Sequence, residues 1–224
     1  MNLLKVSEET SKKLWNLATR FRAFPEITPP APDFGSKYEI PPLFPQNIRH
    51  YTLELGPGWG EVALELALAN PEQGFVLMEK NPNRFRAIAR AIRQHALQSI
   101  VPLSINFQWF LEDLFLKDSF HRVLVNFPDP WPKKRHRKNR LVNIPFFESL
   151  NQILKPGGEF HFATDHGPYA RQVIRILRSE VGEKLFQKIS INWTTQRTEI
   201  PVSVFERERR EAGCRIYYIH CIKK

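Results

Sequence analysis

The sequence predicts an α/β fold: a seven-stranded, mostly parallel sheet with helices on both faces. Three observations carry this. From residue 50 onward, short apolar runs alternate with stretches of helical period, the pattern of strand–helix–strand units. A glycine-rich turn, Gly56-Pro57-Gly58-Trp59-Gly60, follows the first of those runs. The composition, 42% hydrophobic and 25% charged over 224 residues, is that of a globular protein with room for one ordinary to large domain or two small ones.

The elements follow in order. A short helix is predicted near residues 8–20. Residues 24–45 hold seven of the 18 prolines. Proline fixes φ and pushes its predecessor to extended conformations, so this segment is expected to be an extended arm. Residues 1–49 are thus a helix plus a proline-rich arm, and 50–224 the main domain. Within that domain, 51–56 is the first strand and 60–69 a helix. Residues 74–80 form the second strand. Phe85, Ile88, Ala89 and Ile92 recur at helical spacing in the next segment. Residues 105–110 are expected as the third strand and 121–127 as the fourth. A helix around 144–154 should end at Pro156-Gly157-Gly158, before a fifth strand at 159–164. Residues 169–180 read as a helix with Tyr169, Val173 and Leu177 on its apolar face. Two closing strands are expected near 185–193 and 215–222.

Composition also excludes. No apolar run approaches the ~18 residues of a membrane span, and the charged start does not read as a secretory signal. A cytoplasmic protein with no membrane attachment is expected. Two cysteines, Cys214 and Cys221, read as lying on one strand with opposite faces, make a disulfide framework improbable. The seven histidines show no paired ligand spacing in sequence, so no metal is expected. Lys plus Arg number 33 against 23 acids, a net charge of +10. That balance favours an anionic partner, most often nucleic acid. A monomer and a homodimer are both compatible with the sequence.

Four constellations point to chemistry. The first is the Gly56, Gly58, Gly60 turn. A dinucleotide fingerprint places its third glycine three positions after the second, where this chain has Glu61. The pattern is G-x-G-x-G with Glu54 two residues upstream. An acid there suits a cationic ligand such as the amino group of S-adenosylmethionine and would repel a pyrophosphate. The second is a pair of acids after strands. Glu79 can accept hydrogen bonds from ribose hydroxyls, a device shared by NAD enzymes and methyltransferases. Asp113, or its neighbour Glu112, can accept from an adenine amino group.

The third constellation is Asn126-Phe127-Pro128-Asp129-Pro130-Trp131-Pro132, after the fourth strand. An acid held between prolines is a rigid acceptor. Guanine offers adjacent donors, N1–H and the N2 amino group, where adenine presents an acceptor. Trp131 or Phe127 can stack a splayed base. The fourth follows directly: six of the eight residues 133–140 are cationic. Beside a base pocket such a run becomes a phosphate clamp, and Arg171, Arg175 and Arg178 can extend it. Two weaker signals pair an acid with a hydroxyl residue in expected loops: Thr164-Asp165, and Ser203-Val204-Phe205-Glu206.

With these residues in view, the chain resembles the tRNA (guanine-N7-)-methyltransferases over roughly residues 50–222. The resemblance is carried by residues 126–141, 53–61 and 160–170. It implies a class I (Rossmann-like) methyltransferase fold, S-adenosylmethionine as methyl donor, and a guanine in the tRNA variable loop as target. It further implies Glu54, Glu79, Asp113 and Asp129 at the cofactor, Asp129 also in catalysis, and Lys133 and Asp165 at the substrate. The C-terminal motif of the family, close to Thr-Lys/Arg-Phe-Glu, is matched by Ser203, Phe205 and Glu206, while Val204 stands where the family has a cation. Arg207, Arg209 and Arg210 lie nearby. A different RNA substrate, or RNA binding without turnover, are the competing readings.

Overall fold

In the computed structural model, residues 8–18, 24–105, 107–192 and 199–224 are described. Seven strands form one sheet in the order β3-β2-β1-β4-β5-β7-β6. These are β1 (His50–Leu55), β2 (Gln73–Met78), β3 (Ile100–Leu103), β4 (Phe120–Asn126), β5 (Leu154–Thr164), β6 (Phe186–Asn192) and β7 (Tyr217–Lys223). The pairs among β1 to β5 are parallel, and β7 runs antiparallel to both β5 and β6. The order reverses direction between β1 and β4. An open sheet places its ligand crevice at that switch point, outside the carboxyl ends of the strands.

The helices are α1 (Glu8–Ala18), α2 (Glu61–Ala69), α3 (Pro82–Gln94), α4 (Phe107–Leu114), α5 (Ile144–Ile153), α6 (Gly167–Leu177), α7 (Glu180–Leu185) and α8 (Val204–Glu211). Their starts are written in the sequence. Asn81 caps α3 by accepting from the backbone N–H groups of Asn83 and Arg84, and Pro82 supplies the preset φ of the first turn. Asn143 with Ile144-Pro145 does the same for α5.

The sheet is buried on both faces. One core layer joins Leu53, Leu55, Val123, Val125, Phe160 and Phe162 to Phe147, Leu150 and Tyr169 from α5 and α6. A second joins Phe75, Leu77 and Leu124 to Val62, Leu66, Ile88 and Ile92 from α2 and α3.

Several expectations are corrected. The third strand is 100–103, and 107–114 is helical. Pro102 argues against a strand by sequence, but β3 is the sheet edge, where a missing N–H is tolerated. Leu111 and Leu114, three apart, then give α4 its buried face. The proline-rich segment packs onto the main domain: Tyr38, Ile40 and Phe44, with Ile48 just after it, are buried in the main core, along with Trp15 of α1. Pro156-Gly157-Gly158 lies inside β5, where the register against β4 shifts between Phe120 and Arg122. The 169–180 helix ends at Leu177, and a separate α7 follows. Cys214 precedes β7 and is not on a strand with Cys221; both thiols are free. No helix among the described residues is long and apolar enough to cross a membrane.

Candidate active site

The crevice between β1 and β4 holds two adjoining cavities. The larger, about 430 Å³, is lined by residues that include Glu54, Gly56, Trp59, Glu61, Asp129 and Asp165. The smaller, about 100 Å³, is lined by Glu79, Arg84, Trp131 and Leu141 among others. Gly56, Arg84, Asn126, Phe127, Pro128 and Asp129 belong to both walls.

The glycine turn builds one side. Gly56, Gly58 and Gly60 all have positive φ, +71°, +64° and +85°, a region that side chains with a Cβ rarely enter. Their roles differ. A Cβ at Gly56 or Gly58 would point into open space, whereas one at Gly60 would lie 2.9 Å from Ile88 Cγ1. The first two glycines keep space beside the backbone clear, and the third lets α2 and α3 approach each other.

Two acids stand behind the turn. Glu54 is 1% exposed, and Asn126 Nδ2 donates to its Oε1 at 3.1 Å. Glu79 is also buried. The backbone N–H of Asn81 donates to its Oε1 at 2.7 Å. Burial raises the Glu79 carboxyl above its ordinary value, against the opposing pull of the Asn81 and Gly58 amides and of Arg84.

The β4 side carries Asp129 on a strained loop. Phe127 and Trp131, two residues before and two after Asp129, both have positive φ, +49° and +42°. Bulky residues in this region are outliers that persist only where their surroundings impose them, and they cluster at functional sites. The surroundings are visible. Phe127 N–H donates to Ala163 O at 2.8 Å, and its ring meets Phe205 edge-on at 5.1 Å. Arg140, only 2% exposed, reaches back into the loop. Its Nε donates to Pro130 O at 2.8 Å and its Nη1 to Gln172 Oε1 of α6 at 2.7 Å. Its guanidinium sits 4.8 Å from the Tyr169 ring centroid.

The third side is α8, where a loop was expected. Ser203 is its N-cap, accepting from the Glu206 N–H at 3.1 Å. Val204 and Phe205 line the larger cavity and are large exposed apolar residues. The Val204 N–H bonds to Glu61, whose carboxyl is raised by burial. That contact joins the starts of α2 and α8. Asp165 lines the same cavity and accepts from Arg209 Nε at 2.6 Å.

The geometry thus gathers Glu54, Gly56, Gly58, Asp129, Asp165, Ser203 and Phe205 around one cavity, with Glu79 on the adjoining one. Four expected residues stand elsewhere. Gly60 packs on α3. Glu206 is 1% exposed and turned to Arg210, which donates to it at 2.7 Å, and to the Tyr218 hydroxyl. It holds α8 to β7 behind the cavity wall; the Tyr218 hydroxyl, buried and beside this carboxylate, is pushed up to about 12. Asp113 is exposed on the last turn of α4 and lines neither cavity. With the strand ending at 103 rather than 110, this acid falls well past the crevice. Lys133 is exposed just outside the cavity walls, before a short 3-10 turn, Lys134–Asn139. Of the cationic run, Lys133, Lys134, Arg135, Arg137 and Lys138 are exposed, while Arg140 is not available to a phosphate.

Sequence reasoning did not single out Arg84, Asn126, Trp59, Glu61 or Glu208 as site residues. Asn126 and Trp59 sit inside quoted motifs, and their positions beside the acid and between the glycines were the available signal. Arg84 and Glu208 reach the site only through the packing of α3 and α8.

The residues fit S-adenosylmethionine. Open space lies beside two left-handed glycines, a buried carboxylate after β2 suits ribose hydroxyls, and acidic walls suit a cationic amino acid moiety. A family model described as "Putative methyltransferase" matches residues 49–218. A tRNA (guanine-N(7)-)-methyltransferase of Leptospira interrogans (serovar Lai) is 46% identical over 212 residues, covering 95% of this chain and 96% of that protein. Another, of Nitrosomonas europaea, is 32% identical over 161 residues, covering 72% and 70%. Among solved structures, the 16S rRNA methyltransferase KamB superposes with a TM-score of 0.58 at 13% identity, covering 80% of this chain and 90% of that one. A 16S rRNA (adenine(1408)-N(1))-methyltransferase from Catenulisporales acidiphilia gives 0.57 at 16% identity, covering 80% and 89%. With a class I methyltransferase fold, an acid- and glycine-lined crevice and a relative of nearly equal length at that identity, the chain belongs to the tRNA (guanine-N(7)-)-methyltransferase family.

Proposed function

We propose that the protein transfers a methyl group from S-adenosylmethionine to N7 of a guanine in the variable loop of tRNA, in the cytoplasm. One observation carries the reading: an acid-walled cavity opens beside an exposed cationic segment. Glu54, Glu61, Asp129, Asp165 and Glu208 line the larger cavity, with Arg84 as its basic residue. Such walls favour cationic contents, while residues 133–138 favour phosphates outside.

Bound S-adenosylmethionine supplies a methyl group already activated by its sulfonium. Guanine N7 carries an in-plane lone pair that is unprotonated near neutral pH, so no general base is required. The residues therefore bind, orient and exclude water. Glu54 is assigned to the cofactor's amino acid end and Glu79 to its ribose. Asp129 offers acceptors to guanine N1–H and its N2 amino group, and Phe127 or Trp131 an aromatic face. The purine gains positive charge on methylation, and the carboxylate of Asp129 stabilises that charge as it develops. Asp165, Ser203 and Phe205 close the substrate side, and Lys133 meets the RNA backbone.

The test is mass spectrometry of nucleosides from unmodified tRNA after incubation with the protein and S-adenosylmethionine. The expected product is 7-methylguanosine, and ribonuclease fragments of the same tRNA should place it in the variable loop. A methyl group on another base, or none, would overturn the reading.

A further inference from the structure

Strand register gathers three metal-type ligands from two strands that are far apart in sequence. Glu159 and His161 lie two residues apart on β5, so their side chains share one face of the sheet. His220 on β7 is the direct cross-strand partner of His161, and directly opposed side chains begin only ~4.5–5.5 Å apart at Cβ. One ligand atom from each of the three lies within 4.8 Å of the others. The two imidazoles stack with centroids 4.4 Å apart and planes 29° from parallel. His161 Nε2 is 3.0 Å from Glu159 Oε2. The Nε2 of His220 is buried and has no hydrogen-bond partner among the described residues. A buried ring nitrogen left unpaired calls for a ligand, and an ion or a water is the usual one.

We propose that Glu159, His161 and His220 bind one divalent transition-metal ion of the zinc type, which staples the antiparallel strand β7 to β5. Two imidazoles and a carboxylate form a donor set suited to zinc, with a fourth position left for water. Arg122 Nε occupies one oxygen of Glu159 at 2.9 Å, which leaves Oε1 for the ion. The positive charge of Arg122 weakens the site, so magnesium and calcium, which also lack preference for imidazole, should not bind. None of the three ligands lines either cavity, and the ion takes no part in methyl transfer. Its influence is mechanical: Tyr218, two residues from His220, holds Glu206 behind the cavity wall.

The experiment uses the full chain without an affinity tag, with Zn²⁺ and Co²⁺ as probes. One equivalent of Zn²⁺ should bind in equilibrium dialysis. At a concentration about 100-fold above Kd, the melting temperature should rise by roughly 5–10 °C. Co²⁺ should give visible absorption bands of nitrogen and oxygen ligation that Zn²⁺ displaces. His161→Gln and His220→Gln should each abolish the melting shift, and His95→Gln, at an exposed position after α3, should keep it. Binding and shift that survive His220→Gln would overturn the proposal. Should that variant fold poorly, the wild-type Co²⁺ spectrum decides: no Zn²⁺-displaceable band means no site.

Discussion

Replacing Arg140 with Met should separate the rigidity of the Asp129 loop from the stability of the fold. The side chain makes two short hydrogen bonds, to Pro130 O at 2.8 Å and Gln172 Oε1 at 2.7 Å, and a long one to Pro168 O at 3.4 Å. Hydrogen bonds to a charged donor contribute about 1.5–3 kcal/mol each. Part of that is offset, because the guanidinium is buried with no carboxylate partner among the described residues, and burial lowers its pKa. Methionine keeps much of the volume and removes the buried charge. The net loss should be about 2–4 kcal/mol, a drop in melting temperature of roughly 5–15 °C for a chain of this size. The effect on catalysis has a separate origin. Phe127 and Trp131 hold left-handed φ values, each unfavourable by about 1–2 kcal/mol for an L-residue. Arg140 clamps the Pro130 carbonyl between them. Without the clamp the loop can relax, and about 2 kcal/mol of relaxation lowers the population of the strained conformer by about 30-fold. Single-turnover methylation of tRNA, below the melting transition and at saturating S-adenosylmethionine, should slow by about 10- to 100-fold. Cofactor affinity should fall less than the rate, since Glu54, Glu79 and Gly56 are untouched although the loop lines part of both cavities. A destabilised variant with the wild-type single-turnover rate would refute the clamp. An unchanged melting temperature would refute the hydrogen-bond assignment.

Gly58→Ala should weaken cofactor binding in calorimetry while lowering stability by only about 1–2 kcal/mol. Gly60→Ala should do the reverse, because its Cβ would meet Ile88 at 2.9 Å. Asp129→Asn replaces an acceptor with a donor facing guanine's own donors, and single-turnover methylation should fall at least ~30-fold. Neutralising Lys133, Lys134 and Arg135 should weaken tRNA binding and lower the log–log salt slope by about 1 per lost phosphate contact. Glu79 supplies a pH signature. Its folded carboxyl is raised above 4.5, so ribose loses its ionised acceptor as pH falls through that raised value, and cofactor Kd should rise. The stability of the cofactor-free protein moves oppositely: the Glu79 contribution is present at low pH and lost as pH rises through the folded value. Glu79→Gln should flatten both profiles.

The fold was legible where period and punctuation agree. Asn81-Pro82 and Asn143 announce helices, and the strands next to the glycine turn and the Asp129 loop are short apolar runs with clear ends. It failed where composition is ambiguous or where position in the sheet decides. Phe107 to Phe110 suit strand or helix equally, and only the packing of Leu111 and Leu114 settles it. Pro102 looks like a strand breaker until β3 is known to be an edge. The acids on β1 and after β2 could be read because they sit at the carboxyl ends of strands, next to the glycine turn or directly after the last strand residue. Asp113 could not, since its assignment inherited the misplaced third strand. Glu206 looked exposed beside its serine, but Tyr218 and Arg210, 12 and 4 residues away, bury it. The metal-type cluster was invisible for the same reason: His220 lies 59 positions after His161 in sequence, and strand pairing joins them.

The charge layout explains how one basic chain serves two opposite demands. Two acids of the α8 side carry basic partners: Arg209 on Asp165 in the cavity wall, and Arg210 on Glu206 behind it. These pairs fix the shape of the α8 wall and take those arginines out of the free cationic surface. The exposed cations at 133–138, by contrast, form no ion pair among the described residues, and so keep their charge for a partner. The two regions are joined by Pro130-Trp131-Pro132, where Arg140 binds the backbone from beneath. The cationic turn is therefore only a few residues along the chain from Asp129, and Phe127 and Trp131, both at positive φ, frame the loop that carries the carboxylate. On the proposed reading, binding of the RNA backbone and reading of the base would be coupled through this one loop, and Arg140→Met, set against neutralisation of Lys133, Lys134 and Arg135, is the comparison that tests the coupling.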